Sequence, residues 1–321
     1  MTEVAIISDV HFAGPAERER HGYPYFGIEN PLRRFLYRQF RHWIWQRDPF
    51  AHNYLLDRFI ERNAGAGVVV ANGDYSCDSM GVGLSDPASF ESTELCLGRL
   101  RDAFGDRFHP VMGDHEIGKL MMMSGRGGLR LASLEHAMGR LGIQPFWRLE
   151  VGRTVLMGVA STIAAMPVFE TEAPAEDRAA WWMRHREHLR EIESAFVELK
   201  PGQRVILFCH DPSALPFLWE REAIRMRASR IERTVIGHLH TGLVFELSRL
   251  LRGMPELHFM GHTPRRLSRA LRQGRCWTPF KPLLCPSPAG SQLLRDGGYL
   301  TLRIDESGEA PARFQFHPME W

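Results

Sequence analysis

The chain reads as an α/β fold, two β-sheets packed as a sandwich and flanked by helices. Three observations predict it. Apolar runs of strand length alternate with amphipathic helical segments through the first half, which implies βαβ crossovers and a parallel-rich sheet. Stretches 146–151 and 153–160 pair around Gly152 as a hairpin. Two further runs, roughly 298–304 and 312–317, are expected to close a second sheet.

Taken in order, the strand-like runs deliver chemistry. Val4–Ser8 leads into Asp9-Val10-His11, and Val68–Asn72 into Gly73-Asp74. The short run Phe108–Met112 leads into Gly113-Asp114-His115-Glu116. Val205–Cys209 precedes His210-Asp211, and Thr234–Ile236 precedes Gly237-His238-Leu239-His240. Residues 88–104 carry Phe90, Leu95, Leu97, Leu100 and Phe104 near helical spacing, and 181–199 carry Trp182, Leu189, Ile192, Phe196 and Leu199. Both read as packing helices.

Ligands on the ends of parallel strands converge on one edge of a sheet. Carboxylate and imidazole hold Mn, Fe, Zn or Co. Each cluster alone says little, since a lone histidine after a strand, such as His210, is more often a hydrogen-bonded structural residue. Together they supply enough ligands for two cations sharing a carboxylate.

The order resembles the calcineurin-like metallophosphoesterase superfamily, whose pattern runs D-x-H, G-D, G-N-H-E/D, H, G-H-x-H; the resemblance spans residues 9 to 240. It implies the same two-sheet fold and hydrolysis of a phosphodiester or pyrophosphate bond by metal-activated hydroxide. By that resemblance Asp9, His11 and His240 hold one metal, Asp74 bridges both, and Asp114, His210 and His238 hold the second. His115 sits beside the metals without ligating them, protonating the leaving oxygen or stabilising its charge. The implied cofactors are two divalent ions, manganese foremost, with iron, zinc or cobalt as alternatives, or a mixed Fe(III)/divalent pair.

Asp114 departs from the pattern, which has Asn there. An ionised Asp114 neutralises the site that Asn would leave with one positive charge. A less positive site attracts a dianionic monoester less strongly and acidifies bound water less. The variant is therefore expected to favour diesters or pyrophosphates, or a trivalent ion; the bland alternative is drift between two oxygen ligands. Gly261-His262-Thr263 imitates the last motif but lacks its second histidine, so His262 is assigned a structural or rim role.

The gap from His11 to Gly73 exceeds what one crossover helix needs, so 12–53 reads as a cap insertion near the metal edge of one 321-residue domain. Within it Leu36, Phe40, Trp43 and Ile44 share one helical face, and Arg34, Arg38 and Arg41 the other. Such a helix is either a lid packed on the core or a surface that meets lipid. Phe40 and Trp43 are candidate substrate contacts. So are Arg265 and Arg269, which recur with Arg272 on a second basic helix whose arginines are otherwise a solvated face. The Pro-rich stretch 277–288 is expected to be an ordered loop without regular structure.

Lys plus Arg number 40 against 38 Asp plus Glu, so no global charge demands a nucleic-acid partner. Five cysteines without a CxxC pair fit buried thiols in a reducing compartment. No leader or long apolar run is evident, and a cytoplasmic protein is expected, with peripheral contact at the inner face of the membrane as an option. The arginine-rich apolar cap is similar to that of UDP-2,3-diacylglucosamine pyrophosphatases, although some of those replace the His115 position with Arg. A nucleotide or cyclic-nucleotide phosphodiesterase is the alternative; a protein phosphatase fits less well because the cap obstructs a broad substrate. A non-catalytic interaction module typically loses ligands that this chain keeps.

Overall fold

The computed structural model describes residues 1–20, 28–45, 48–121, 124–256 and 268–320. The strands are β1 (Thr2–Ile7), β2 (Val68–Asn72), β3 (Phe108–Val111), β4 (Phe146–Val151), β5 (Thr154–Val159), β6 (Arg204–Cys209), β7 (Ile231–Ile236), β8 (Pro282–Leu284), β9 (Gly298–Ile304) and β10 (Arg313–Pro318). They form two five-stranded mixed sheets, ordered β10-β9-β1-β2-β3 and β4-β5-β6-β7-β8. β1, β2 and β3 run parallel, as do β5 to β8, while β4 and β5 make the expected antiparallel hairpin.

One placement differs from expectation. The tail strands β9 and β10 do not close a second sheet; β9 pairs antiparallel with β1 and β10 caps that edge. Strand periodicity identifies a strand but not its neighbour, because any edge with free backbone groups can receive it.

The near-continuous apolar runs follow from burial on both faces. Val4, Ile6, Val68 and Val70 face Leu156, Ile206, Phe208 and Val235 between the sheets. The alternate residues Ala5, Ile7, Val69 and Ala71, with Val155, Met157 and Leu207, lie in the core shared with the helices. These are chiefly Tyr54–Arg62, Pro87–Phe104 and Arg178–Val197, contributing Phe59, Leu97, Leu100, Ile192 and Phe196. Helix Pro87–Phe104 starts where the Asp86 side chain accepts from the Ser89 amide, with Pro87 in its first turn, and stops at Gly105.

The Pro-rich stretch is more regular than expected. It contains a 3₁₀ segment, Gly274–Phe280, and the short strand β8, which among the described residues pairs with β7 alone. Proline is compatible with the first residue of an edge strand, where no ladder donor is missed, and Pro282 holds that place. Trp277 and Phe280 are buried beneath it.

Helix Pro31–Trp43, within the 12–53 stretch, buries none of its residues, and Leu32, Leu36 and Trp43 are 65%, 57% and 64% exposed. Its apolar face is therefore not packed on the core in the manner of a simple lid. Cys77, Cys96, Cys209 and Cys285 are buried and Cys276 is half-buried. Arg265 and the 261–263 motif lie outside the described residues. Among the described residues no helix is long and apolar enough to cross a membrane.

Candidate metal centre

The carboxyl ends of β1, β2, β3, β6 and β7 bring the five motifs together. Each strand ends on a buried residue, and the chain then turns so that polar side chains gather at the edge. Asp9, His11, Asp74, His238 and His240 all adopt positive φ between 47° and 59°. Non-glycine residues rarely do so, and the conformation costs on the order of 1–3 kcal/mol each, which persists where the surroundings over-determine it. Two motif glycines are fixed by close approach: a Cβ on Gly113 would lie 2.4 Å from Asp74 Oδ1, and one on Gly237 would meet Ser8 Oγ and Asp9 Oδ2.

Two groups result, Asp9, His11, Asp74 and His240, and Asp74, Asp114, His210 and His238, each with one ligand atom per residue within 4.8 Å of the others. Asp74 belongs to both. In the first group His240 Nε2 lies 3.2 Å from His11 Nε2 and 3.2 Å from Asp9 Oδ1. In the second, His210 Nε2 lies 3.2 Å from Asp74 Oδ1 and 3.3 Å from Asp114 Oδ1, and His238 Nδ1 is 3.0 Å from Asp114 Oδ1. Donors around one ion at bonds of about 2.1 Å are separated by roughly 3.0–3.4 Å, so these spacings fit cation ligation. Asp74 Oδ2 is buried with no hydrogen-bond partner among the described residues, as an atom reserved for an ion would be.

The outer contacts orient the rings. His210 Nδ1 meets the Asn72 carbonyl at 2.6 Å and His11 Nδ1 meets the Ser76 carbonyl at 3.3 Å, so each turns Nε2 to the cluster. The Asp9 carboxylate accepts from the His238 amide at 3.0 Å and from Ser8 Oγ at 2.7 Å. Burial disfavours its charge, yet the imidazoles of His210 and His240 hold it below the usual carboxylate range. Burial likewise opposes the charge on Asp74, which His115 and His210 nonetheless keep depressed.

Glu116, Lys119 and Ser287 were missed as site residues from sequence. Glu116 is fully buried and its carboxylate accepts from the amides of Gly113, Asp74 and Tyr75 at 2.7, 3.1 and 2.9 Å, tying two motif loops together. Burial and the neighbouring Asp74 charge push its carboxyl up to about 8, while the Tyr75 and Gly113 amides pull it down. Ser287 Oγ donates to the Asp9 carbonyl at 3.0 Å. Lys119 Nζ lies 2.9 Å from Asp114 Oδ2. This ion pair removes the electrostatic ground for expecting a neutral, diester-favouring site, because the charge added by Asp114 is matched by an ammonium five residues on.

His115 lies beside both groups and in neither. Its amide donates to Asp74 Oδ1 at 3.1 Å, its Nδ1 meets the Ser76 carbonyl at 2.8 Å, and its Nε2 is 3.4 Å from Asp74 Oδ2. Burial pushes its imidazole down to about 4, against the pull of Asp74.

Beyond His240 the cap begins. The Trp45 ring lies 5.7 Å from that of His240 and 5.5 Å from Phe40. A cavity of about 160 Å³ is lined there by Phe40, Ile44, Trp45, Leu243, Leu293 and His240, among others. Phe40 is thus beside the centre, whereas Trp43 is exposed and its indole N–H donates to Gln39. Arg269 pairs with Glu256 at 3.8 Å.

Residues 2–242 match the family described as calcineurin-like phosphoesterase. A solved structure, a dimetal phosphatase from Danio rerio, is similar in fold with a TM-score of 0.53 over 99% of this chain and 96% of that one, at 13% identity. No curated protein matches the chain. The family match covers all five motifs whose side chains meet at the sheet edge, and the chain belongs to the calcineurin-like phosphoesterases, metal-dependent hydrolases of phosphoric esters.

Proposed function

We propose that the chain hydrolyses a lipid-linked phosphodiester or pyrophosphate, with a UDP-linked diacyl sugar as the reference substrate. One observation carries this reading: an apolar cavity shares His240 with the ligand cluster, so a substrate whose phosphorus is at the cations has an apolar group at its flank.

In this reading Asp9, His11 and His240 hold one ion, Asp114, His210 and His238 the other, and Asp74 both. Two such ions, with manganese foremost among those the oxygen and imidazole donors suit, supply Lewis acidity and an acidified water. The protein's own side chains do the rest. His115, its Nδ1–H held by the Ser76 carbonyl, aims Nε2 at the centre, where a bound phosphoryl anion would favour the second ring proton that passes to the leaving oxygen. Glu116 keeps the Gly113 and Asp74 loops in register, and Ser287 anchors the Asp9 turn.

A comparable cavity of about 150 Å³ holds benzene, so this one accommodates about six carbons and not a whole acyl chain. The remainder would lie along two exposed ridges that start in the cavity. Phe40 continues into Leu36 and Leu32, and Leu243 into Leu247 and Leu250, at helical spacing. Such a substrate resides in a bilayer, so the enzyme would work as a peripheral protein at its cytoplasmic face. A nucleotide base would need polar partners that these walls scarcely offer, which favours acyl chains over the nucleotide alternative.

Steady-state kinetics on a UDP-linked diacyl sugar, a bis-aryl phosphate and an aryl phosphate test the reading. Phe40→Ser and Leu243→Ser should raise KM for the acylated substrate, each forfeiting about 2 kcal/mol of apolar contact, and leave the small diester nearly untouched. A wild-type enzyme indifferent to the acyl group would refute it.

A further inference from the structure

The two oxygens of Asp114 serve different neighbours. Oδ1 lies among the imidazoles, 3.0 Å from His238 Nδ1 and 3.3 Å from His210 Nε2, while Oδ2 lies 2.9 Å from Lys119 Nζ. The lysine is placed by the backbone. Helix Asp114–Ile117 ends at Gly118, whose φ of 92° reverses the chain, and the Lys119 amide then donates to the Gly81 carbonyl at 3.1 Å. Its side chain is only 24% exposed.

We infer that Lys119 is a specificity-determining residue: paired with Asp114, it makes that ligand electrically equivalent to a neutral oxygen donor, preserving a net positive centre that accepts dianionic phosphoryl groups. The inference rests on Asp114 being a cation ligand as proposed above. An asparagine at 114 would present one carbonyl oxygen and no charge. Asp114 with Lys119 presents one oxygen to the imidazole cluster and, counted together, no charge. The two residues therefore form one unit, and changing either alone alters the centre by a full charge.

Opposite signs follow for the two single variants. Lys119→Met leaves Asp114 uncompensated, so a cation at that position binds more tightly while a dianionic monoester is attracted less. Asp114→Asn leaves the ammonium uncompensated, so the cation binds more weakly. A unit charge within a few ångströms in a partly buried site shifts such equilibria roughly tenfold or more.

The test is a double-mutant cycle read by calorimetric Mn²⁺ titration of the metal-stripped full chain, and by the kcat/KM ratio of aryl phosphate to bis-aryl phosphate. Lys119→Met should tighten the weaker Mn²⁺ step and lower the monoester-to-diester ratio. Asp114→Asn should weaken that step, and the double variant should return it to near the wild-type value. Lys119→Arg, which keeps the charge, should resemble the wild type and guards against a simple loss of packing. Two Mn²⁺ bound in every variant with effects of the same sign in the two single variants, or a ratio unmoved by Lys119→Met, would overturn this inference and leave the metal reading standing. A wild-type chain that binds no second Mn²⁺ would overturn both.

Discussion

The Nε2 atoms of His11 and His240, on residues 229 apart in sequence, lie 3.2 Å from each other. His11 Nδ1 is engaged by the Ser76 carbonyl, which assigns its proton to that side and leaves a lone pair on Nε2. Burial, with His115 and His240 nearby, holds the His11 imidazole well below its ordinary pKa. A neutral ring aimed at a second ring and at Asp9 is a set of donors that a cation completes.

Removing His115 separates chemistry from metal binding. His115→Ala should keep its cations and lose roughly 10²–10⁴ in turnover, the usual contribution of one general acid. The loss should shrink as the leaving group improves, because a good leaving group needs no proton. A leaving-group series with equal loss throughout would make His115 structural.

Glu116 should matter more for stability than its silence in the motif suggests. Glu116→Ala strands the Gly113, Asp74 and Tyr75 amides in a buried site. Each unpaired amide costs about 1–3 kcal/mol, so the total for three should reach roughly 3–9 kcal/mol. Urea unfolding of the two proteins measures it, and a loss below about 1 kcal/mol would mean that water replaces the carboxylate.

His188 gives the fold a pH dependence away from the metals. It is buried, and burial pushes its pKa down to about 3 from 6.5, against the opposing pull of a backbone hydrogen bond with Ala160. Between those values the unfolded chain binds a proton that the folded chain does not, so stability falls as pH drops through the window. The slope from this residue is up to about 1.4 kcal/mol per pH unit. His188→Leu should flatten the decline between pH 6 and about 4 in denaturant titrations, and an unchanged slope would assign the effect to other groups.

Much of this was legible in the sequence because it is written in local patterns. Buried parallel strands leave apolar runs, and the polar residue ending each run marks the sheet edge, so Asp9, Asp74, Asp114, His210 and His240 could be placed in order. What the chain does between such marks is not local. The positive φ values at five of the candidate ligand residues are imposed by tertiary crowding and cannot be read from Asp or His alone. The partner of β9 depends on which edge is free. Lys119 looked like any charged residue until the turn at Gly118 brought it back to Asp114. An amphipathic pattern gave helix Pro31–Trp43 two faces but not the direction either would point.

The central claim is that two cations share Asp74, and metal analysis of the purified chain against Asp74→Ala tests it most directly. Reconstituted with Mn²⁺, the wild type should hold two ions per chain. The variant, which removes the one residue common to both ligand groups, should hold close to none while retaining its secondary structure by circular dichroism. A folded Asp74→Ala chain that still bound two ions would contradict the account.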